Sequence, residues 1–340
     1  MKLTVLLLVC GLLAINAANI NLDTYPFEKE IAMVNSLPDA TWTAGRQERF
    51  KGMTEEDVAV LCGVINGTYN PLPIMSIPVL KDIPAEFDAR TKWARCPSIG
   101  TIQDQSNCGS CWAFGAAEAM SDRYCIHLNM SLNISAADLM ECCESCGNGC
   151  EGGFPEAAWN YWTRSGICTG GLYEKSEDKS STCKPYPLPS CEHHIVGKEP
   201  PCSKKIAKTP ECTQTCHKGY TTPYKQDLHY GSVSYSLDVS VNGVQSIQTE
   251  IMTNGPVEAA FTVYSDFPTY KSGVYKRHSL DPLGGHAVKI LGWGVLNGEP
   301  YWLVANSWNP DWGNKGFFLI LRGHNECGIE EQITAGMPKN

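Results

Sequence analysis

Seventeen of the 340 residues are cysteine, and the chain opens on an apolar leader. That pairing constrains the fold more than any other feature. In a chain that has crossed an oxidising lumen, cysteines at this density mean disulfides first and metal second, and so a loop-rich framework stapled across its surface. The leader reads MKLTVLLLVCGLLAINA: one lysine, an apolar run, then Ala14, Ala17 and Ala18. The run is shorter than the ~20 residues a bilayer needs and has no counterpart further on, so residues 1–17 read as a signal peptide rather than a buried helix or a membrane span. Three Asn-x-Ser/Thr acceptors, at Asn66, Asn129 and Asn133, suit the same route. Cys10 lies in the leader and Cys62 in a segment that reads as removable, which leaves fifteen cysteines. Fifteen is odd, so at least one has no intramolecular partner.

Net charge is −9, with no basic stripe, which excludes nucleic acid as the expected partner and suits an acidic compartment. Residues 18–80 differ from the rest of the chain. TYPFEKEIAMVNSLP and RQERFKGMTEEDVAVLCGVI both carry helical spacing of apolar residues, and a proline-rich connector, YNPLPIMSIPVLKDIP, comes next. A small helical unit on an exposed linker reads as a pro-segment with its cleavage site near 78–84, or as an accessory domain on a tether. Helical patterns dominate 108 to about 165: CWAFGAAEAMSDRYCIH after Ser110, AADLMECC, and PEAAWNYWTRSG with Pro155 near its first turn. From about 230 the period changes to β-type runs, GSVSYSLDVSV, GPVEAAFTVY, GHAVKILGWGV, PYWLVANSW and GFFLILRG, cut by glycine turns. Helices followed by strands predict an α+β protein in two lobes. Between the lobes, 183–216 has no periodicity and reads as a long cross-linked surface loop.

A thiol nucleophile needs a base, a group that orients the base, and donors for an oxyanion. In QDQSNCGSCWAFG, Cys111 sits where a helix begins, and helix-start amides favour a thiolate. Cys108 lies in the preceding turn and has no such help. Cys108-Gly-Ser-Cys111-Trp112 is similar to the cysteine motif of the papain family of cysteine peptidases, and the match runs through the chain after the leader. The resemblance implies the two-lobed papain-like fold, with a helical left lobe and a β-barrel-like right lobe in residues 81–340. It makes Cys111 the nucleophile, His286 in GGHAVKILGWG the base, and Asn306 in ANSWNPDWG the orienting amide. It also makes Trp308 the shield of that pair, Gln105 the oxyanion donor, and Gly152 and Gly153 the backbone that pairs with substrate. No metal and no cofactor is implied.

The interval from Cys111 to His286 is 175 residues, longer than the ~130–150 of the family pattern, so 183–212 reads as an insertion. With Cys191-Glu-His193-His194 it resembles the occluding loop of the cathepsin B branch, which makes a carboxydipeptidase of an endopeptidase. By that resemblance His194 contacts a substrate carboxylate, and His193 pairs with Asp104 to hold the loop shut. A metal site built from the two histidines and neighbouring cysteines is the rival reading. GGLYE, PYKQDLHYGS, VYSDFPTYKSGVY and LGWGVLNGEPYWLVANSWN also resemble this branch, as do TWTAGRQERF and the later LCG of its inhibitory propeptide. The branch implies disulfides Cys96–Cys125, Cys108–Cys150, Cys142–Cys212, Cys143–Cys146, Cys183–Cys216 and Cys191–Cys202, leaving Cys111, Cys168 and Cys327.

Two departures are visible. Ala260 and Ala287 match the S2 wall, but the floor position, a glutamate in cathepsin B, is Gln332. That predicts weaker acceptance of arginine at P2 and good acceptance of Phe or Leu. The second loop latch pairs an arginine with Asp311, and here the arginine position is Glu199, which predicts a loop that opens more readily, although Lys198 could substitute. The expected protein is a secreted or lysosomal monomeric peptidase zymogen, acting on protein and peptide substrates and inhibited by its propeptide and by cystatin-like proteins. A catalytically dead binding or inhibitory relative is the alternative, although Cys111, His286, Asn306 and Gln105 are all present.

Overall fold

The computed structural model describes residues 25–67, 71–174, 180–190 and 205–340. The leader, His193, His194, Lys198, Glu199 and the pair Cys191–Cys202 therefore lie outside the described residues.

The N-terminal segment forms α1 (Glu28–Ser36), β1 (Trp42–Ala44) and α2 (Glu55–Ala59). Its second helical stretch is shorter than its apolar spacing predicts. TWTA is taken as β1 against a strand of the right lobe, and Gly52 at φ +71° breaks the chain ahead of α2. The short α2 is held by a capping box between Thr54 and Asp57. The connector contributes β2 (Ile74–Met75).

After β3 (Phe87–Asp88) and α3 (Ala89–Lys92), the helical lobe comprises α4 (Cys111–Leu128), α5 (Ala136–Cys142) and α6 (Pro155–Arg164). Its core gathers Trp112, Phe114, Met120, Leu139, Trp159 and Trp162. The β lobe consists of β4 (Gly231–Leu237), α7 (Gly243–Asn254), β5 (Val257–Tyr264), β6 (Tyr270–Tyr275), β7 (Pro282–Leu296), β8 (Glu299–Ala305), β9 (Phe317–Leu321) and β10 (Gln332–Pro338). Sequence reading passes over α7, β6 and β10. The sheet runs β1-β6-β9-β8-β7-β5-β10-β4-β2, with β3 on β7, and its path is open rather than closed into a ring.

Two features fix the cleft. α4 is buried along nearly its whole length and lies against β7, so its charged residues are paired across the lobes. Lys289 of β7 is 2.9 Å from Asp122 and 3.6 Å from Glu118, and Arg123 is 2.9 Å from Glu250, all buried. The N-terminal segment, meanwhile, shares the β-lobe core through Phe27, Val34, Trp42, Phe50 and Val58. Burying each of the large side chains contributes roughly 1.5–3 kcal/mol, enough together to hold a segment with so little regular structure of its own. The described residues hold disulfides at Cys96–Cys125, Cys108–Cys150, Cys142–Cys212, Cys143–Cys146 and Cys183–Cys216, while Cys62, Cys111, Cys168 and Cys327 are free thiols.

Candidate functional site

Cys111 is the first residue of α4, with Ser110 before it, and is fully buried. The preceding turn passes so close to other backbone that Gly109 has no room for a side chain: a Cβ there would lie 2.6 Å from the Cys150 carbonyl oxygen. His286 sits in β7 opposite Phe261 of β5, and Asn306 directly succeeds β8, the neighbouring strand. Strand adjacency thus brings together two residues twenty apart in sequence. His286 Nε2 lies 2.7 Å from Asn306 Oδ1, and that oxygen also accepts from the Ser307 amide at 2.9 Å. As a carbonyl oxygen it can only accept, so Nε2 carries the hydrogen and Nδ1 is left as the basic nitrogen of the neutral ring. Nδ1 is buried without a hydrogen bond. Trp308 lies over the imidazole with ring centroids 4.8 Å apart.

Gln105 is positioned by a short bridge between Asp104 and Trp308, in which its amide donates to the Ser307 carbonyl at 2.9 Å. Ser307 Oγ donates to Gln105 Oε1 at 2.7 Å, which fixes the carboxamide with its Nε2 facing the cleft. Tyr186 donates to the Gln105 carbonyl and meets Ser110 Oγ at 3.0 Å, tying this strand to the start of α4.

The cleft is filled by residues 61–65 of the N-terminal segment. Leu61 presents its carbonyl oxygen to Gln105 Nε2 at 2.9 Å. The Gly63 amide donates to Cys111 Sγ at 3.2 Å. Gly153 donates to the Gly63 carbonyl and accepts from Ile65, while Val64 donates to the Gly285 carbonyl at 2.9 Å. The threaded strand therefore pairs with Gly153 on one lobe and Gly285, beside His286, on the other. Gly63 is required there, because a Cβ would lie 1.8 Å from the Gly109 carbonyl oxygen.

This cover reverses the electrostatics expected of a helix-start cysteine. Burial pushes the Cys111 thiol up to about 12, against the Ala287, Gly63 and Trp112 amides, which lower it. Burial likewise pushes His286 down to about 4, against the Asn306 amide and the Leu61 carbonyl, which raise it. Desolvation outweighs the helix start, so under the threaded segment both groups are neutral.

The remaining sequence-predicted residues fall into two places. Ala287, Ala260 and Gln332 are successive Cα partners across β7, β5 and β10, so they form one row on one sheet face beside His286. Asp104 is engaged by side chains of the N-terminal segment and of the β lobe. Arg49 Nη1 holds its Oδ1 at 2.9 Å, and Asn309 donates to its Oδ2 at 3.0 Å. Asn66 and Asn129 are exposed and Asn133 half-buried. Sequence reading misses Arg49, Ser307 and Tyr186; only Arg49, which with Arg46 is a basic residue of the RQERF stretch already singled out, carries a signal. Cys168, Cys183 and Asp227 cluster with metal-ligand spacing, but the Cys183 sulfur is committed to Cys216.

A helical lobe and a sheet lobe meeting at a buried Cys–His–Asn set, with the chain's own N-terminal segment across it, define a cysteine protease held as a zymogen. The model of the papain family cysteine proteases matches residues 83–337, and the chain belongs to that family. Within it the similarity is to cathepsin B-like proteins. The chain is 50% identical to a cathepsin B-like cysteine proteinase of Schistosoma japonicum over 319 residues, covering 92% of this chain and 91% of the relative. It is 49% identical to cathepsin B-like cysteine proteinase 5 of Caenorhabditis elegans, covering 91% and 89%. Among solved structures, procathepsin B S9 of Trypanosoma congolense superposes with a TM-score of 0.76 at 38% identity, covering 92% of this chain and 98% of that one. Procathepsin L 3 of Tenebrio molitor, at 21% identity and a TM-score of 0.64, shares the fold. No helix of the described residues is long and apolar enough to cross a membrane.

Proposed function

We propose that the chain is a cysteine endopeptidase and carboxydipeptidase made with a removable, inhibitory segment at 18–80 ahead of a peptidase domain at 81–340. One observation carries the reading: residues 61–65 lie across the cleft with a carbonyl on Gln105 and an amide on Cys111, which is the path of a peptide that contacts the reactive groups. Loss of the segment rehydrates Cys111 and His286, and a proton passes from Sγ to Nδ1. The resulting thiolate attacks the substrate carbonyl carbon, and the oxyanion is held by Gln105 Nε2 and the Cys111 amide. Imidazolium then protonates the leaving amine, and water hydrolyses the thioester. Asn306 keeps the ring oriented throughout, and Trp308 excludes water from their hydrogen bond.

Substrate backbone pairs at Gly152 and Gly153, and P2 enters the pocket walled by Ala260 and Ala287 and floored by Gln332, with Phe or Leu preferred over Arg. The carboxydipeptidase part rests on the 183–212 insertion: His194 takes the substrate carboxylate, and His193 pairs with Asp104 to hold the loop shut. With Glu199 at the sequence position where the cathepsin B branch carries the latch arginine, that loop opens readily and endopeptidase activity persists at neutral pH. The protein acts as a monomer, in a lysosomal compartment or outside the cell, after removal of residues 1–17, and is open to cystatin-like inhibitors. Asn66, Asn129 and Asn133 are its glycan sites. The test is dipeptide release against cleavage of a C-terminally blocked peptide across pH 4–8 by the activated enzyme. Both activities are expected, and their loss in Cys111→Ala; a protein that cleaves neither but binds peptides is the inactive relative instead.

A further inference from the structure

The row Ala287–Ala260–Gln332 ends at a cavity of ≈ 530 Å³ whose lining includes Gln332, Ile333, Leu237 and Glu156. Glu156 reaches it from the other lobe. Three residues after Gly153, whose backbone pairs with the threaded strand, it is the second residue of α6. Only 6% of its surface is exposed, and its Oε2 is buried without a hydrogen bond. A carboxylate oxygen withdrawn from water with no donor is an unusual feature in a folded protein. The start of α6, whose free amides favour negative charge, is one reason it is tolerated. No lysine or arginine is among the described lining residues.

A second acid lies on the same sheet face. Glu258 is two residues before Ala260 in β5, but it already accepts from Trp159 Nε1 at 2.7 Å and from Thr334 Oγ1. Burial drives its carboxyl well above the usual range, with Glu156 adding to the rise. Glu258 is therefore a neutral, hydrogen-bonded acid, and of the carboxylates that line the cavity Asp238 accepts from Ser76 and Ser240 and Glu331 from Asn325, whereas Glu156 keeps a buried oxygen without a donor. In the full chain, Gly67 and Ile74 of the N-terminal segment and connector line the same cavity, so their removal opens it toward substrate.

Resting on the peptidase reading above, we propose that Glu156 is a specificity-determining residue: it supplies, from the opposite lobe, the negative charge that Gln332 does not, and it meets a guanidinium or ammonium at P2. The carboxamide oxygen of Gln332 accepts from the same cation. Arginine at P2 is thereby accepted, though less well than Phe, and the acceptance depends on residue 156.

The test measures kcat/KM of the activated enzyme on paired fluorogenic Arg-Arg and Phe-Arg substrates, normalised to active sites titrated with an epoxysuccinyl reagent so that misfolded molecules do not count. Glu156→Gln is expected to lower the Arg-Arg value about tenfold and leave Phe-Arg within about twofold, as loss of one charged hydrogen bond would do. Adding Gln332→Glu to that variant is expected to restore Arg-Arg. Should Glu156→Gln yield no titratable enzyme, Glu156→Asp carries the test, with a loss of a few-fold on Arg-Arg alone. An unchanged ratio, or equal loss on both substrates per titrated site, overturns the proposal. Failure of the unaltered enzyme to cleave either substrate would instead overturn the peptidase reading.

Discussion

Arg49 of the N-terminal segment and Asp104 of the cleft form a buried ion pair, 2.9 Å between Nη1 and Oδ1, with each side chain 5% exposed. Arg49 also donates to the Ser106 carbonyl, so its guanidinium grips both a side chain and the backbone of the strand that carries Gln105. Asp104 is the residue assigned as the latch for His193. The same carboxylate is thus engaged by a propeptide cation in the intact chain.

Replacing Arg49 with alanine removes its charge-assisted hydrogen bonds to Asp104 and to the Ser106 carbonyl, each contributing about 1.5–3 kcal/mol. A synthetic peptide of residues 25–67 carrying Arg49→Ala should therefore inhibit the processed enzyme at least tenfold more weakly than the native peptide. Equal inhibition constants would show that the pair contributes nothing to the hold.

Gly63 is fixed by geometry, since a Cβ would collide with the Gly109 carbonyl backbone. The same peptide with Gly63→Ala should lose most of its inhibition. It cannot keep both the Cys111 and the Gly153 hydrogen bonds while moving its backbone away. Retention of full potency would mean that the strand does not pass this close to the nucleophile.

Acid should loosen the segment. His286 is held near 4 beneath the cover, below its ordinary value near 6.5. A depressed pKa contributes stability above the free-state value and loses it as pH falls toward the bound-state value. Affinity of the 25–67 peptide for the processed Cys111→Ala variant, in which no thiolate pairs with His286, should thus decline between about pH 6.5 and 4, by on the order of a hundredfold from this group alone. Dissociation constants measured across that range test it, and affinity that is flat or rises in acid contradicts it.

The interlobe cluster predicts the opposite trend for the fold. Glu118 is raised to about 8, chiefly by burial, with Lys289 opposing. A carboxyl raised in the folded state favours folding below its unfolded pKa and loses that contribution as pH rises toward 8. Glu118→Gln should accordingly flatten the fall in Tm between about pH 4.5 and 8. Lys289→Met, which strands Glu118 and Asp122 without a cation, should destabilise by about 3–5 kcal/mol.

How much the sequence makes legible depends on the range of the interaction. Cys111, His286, Asn306 and Gln105 stand in local motifs whose neighbours (a helix start, paired glycines, an adjacent tryptophan) describe their own surroundings. The strands within GPVEAAFTVY, GHAVKILGWGV, PYWLVANSW and GFFLILRG are legible from apolar runs cut by glycines. Residues 243–254 are not, because they sit inside that β-rich region and their helical period is overshadowed. That the sheet path stays open is not legible either, since whether the ends of a path meet depends on strand stagger rather than on composition. Arg49 and Glu156 act through partners 55 and more than a hundred residues away, and no local pattern records such a distance. The electrostatic state of Cys111 escapes the sequence for a related reason: the helix start argues for a thiolate, and what outweighs it is complete burial in the folded intact chain.

The central claim is that residues 61–65 cover Cys111 and that their removal creates the reactive thiol. It is tested by timed labelling with an epoxysuccinyl reagent at pH 5–6, read by peptide mapping because Cys62, Cys168 and Cys327 are also free. In the intact chain the peptide bearing Cys111 should stay unlabelled while the processed enzyme is labelled to one equivalent, and Cys111→Ala should take up none at that site. Equal labelling of Cys111 in the intact and processed forms would contradict the account.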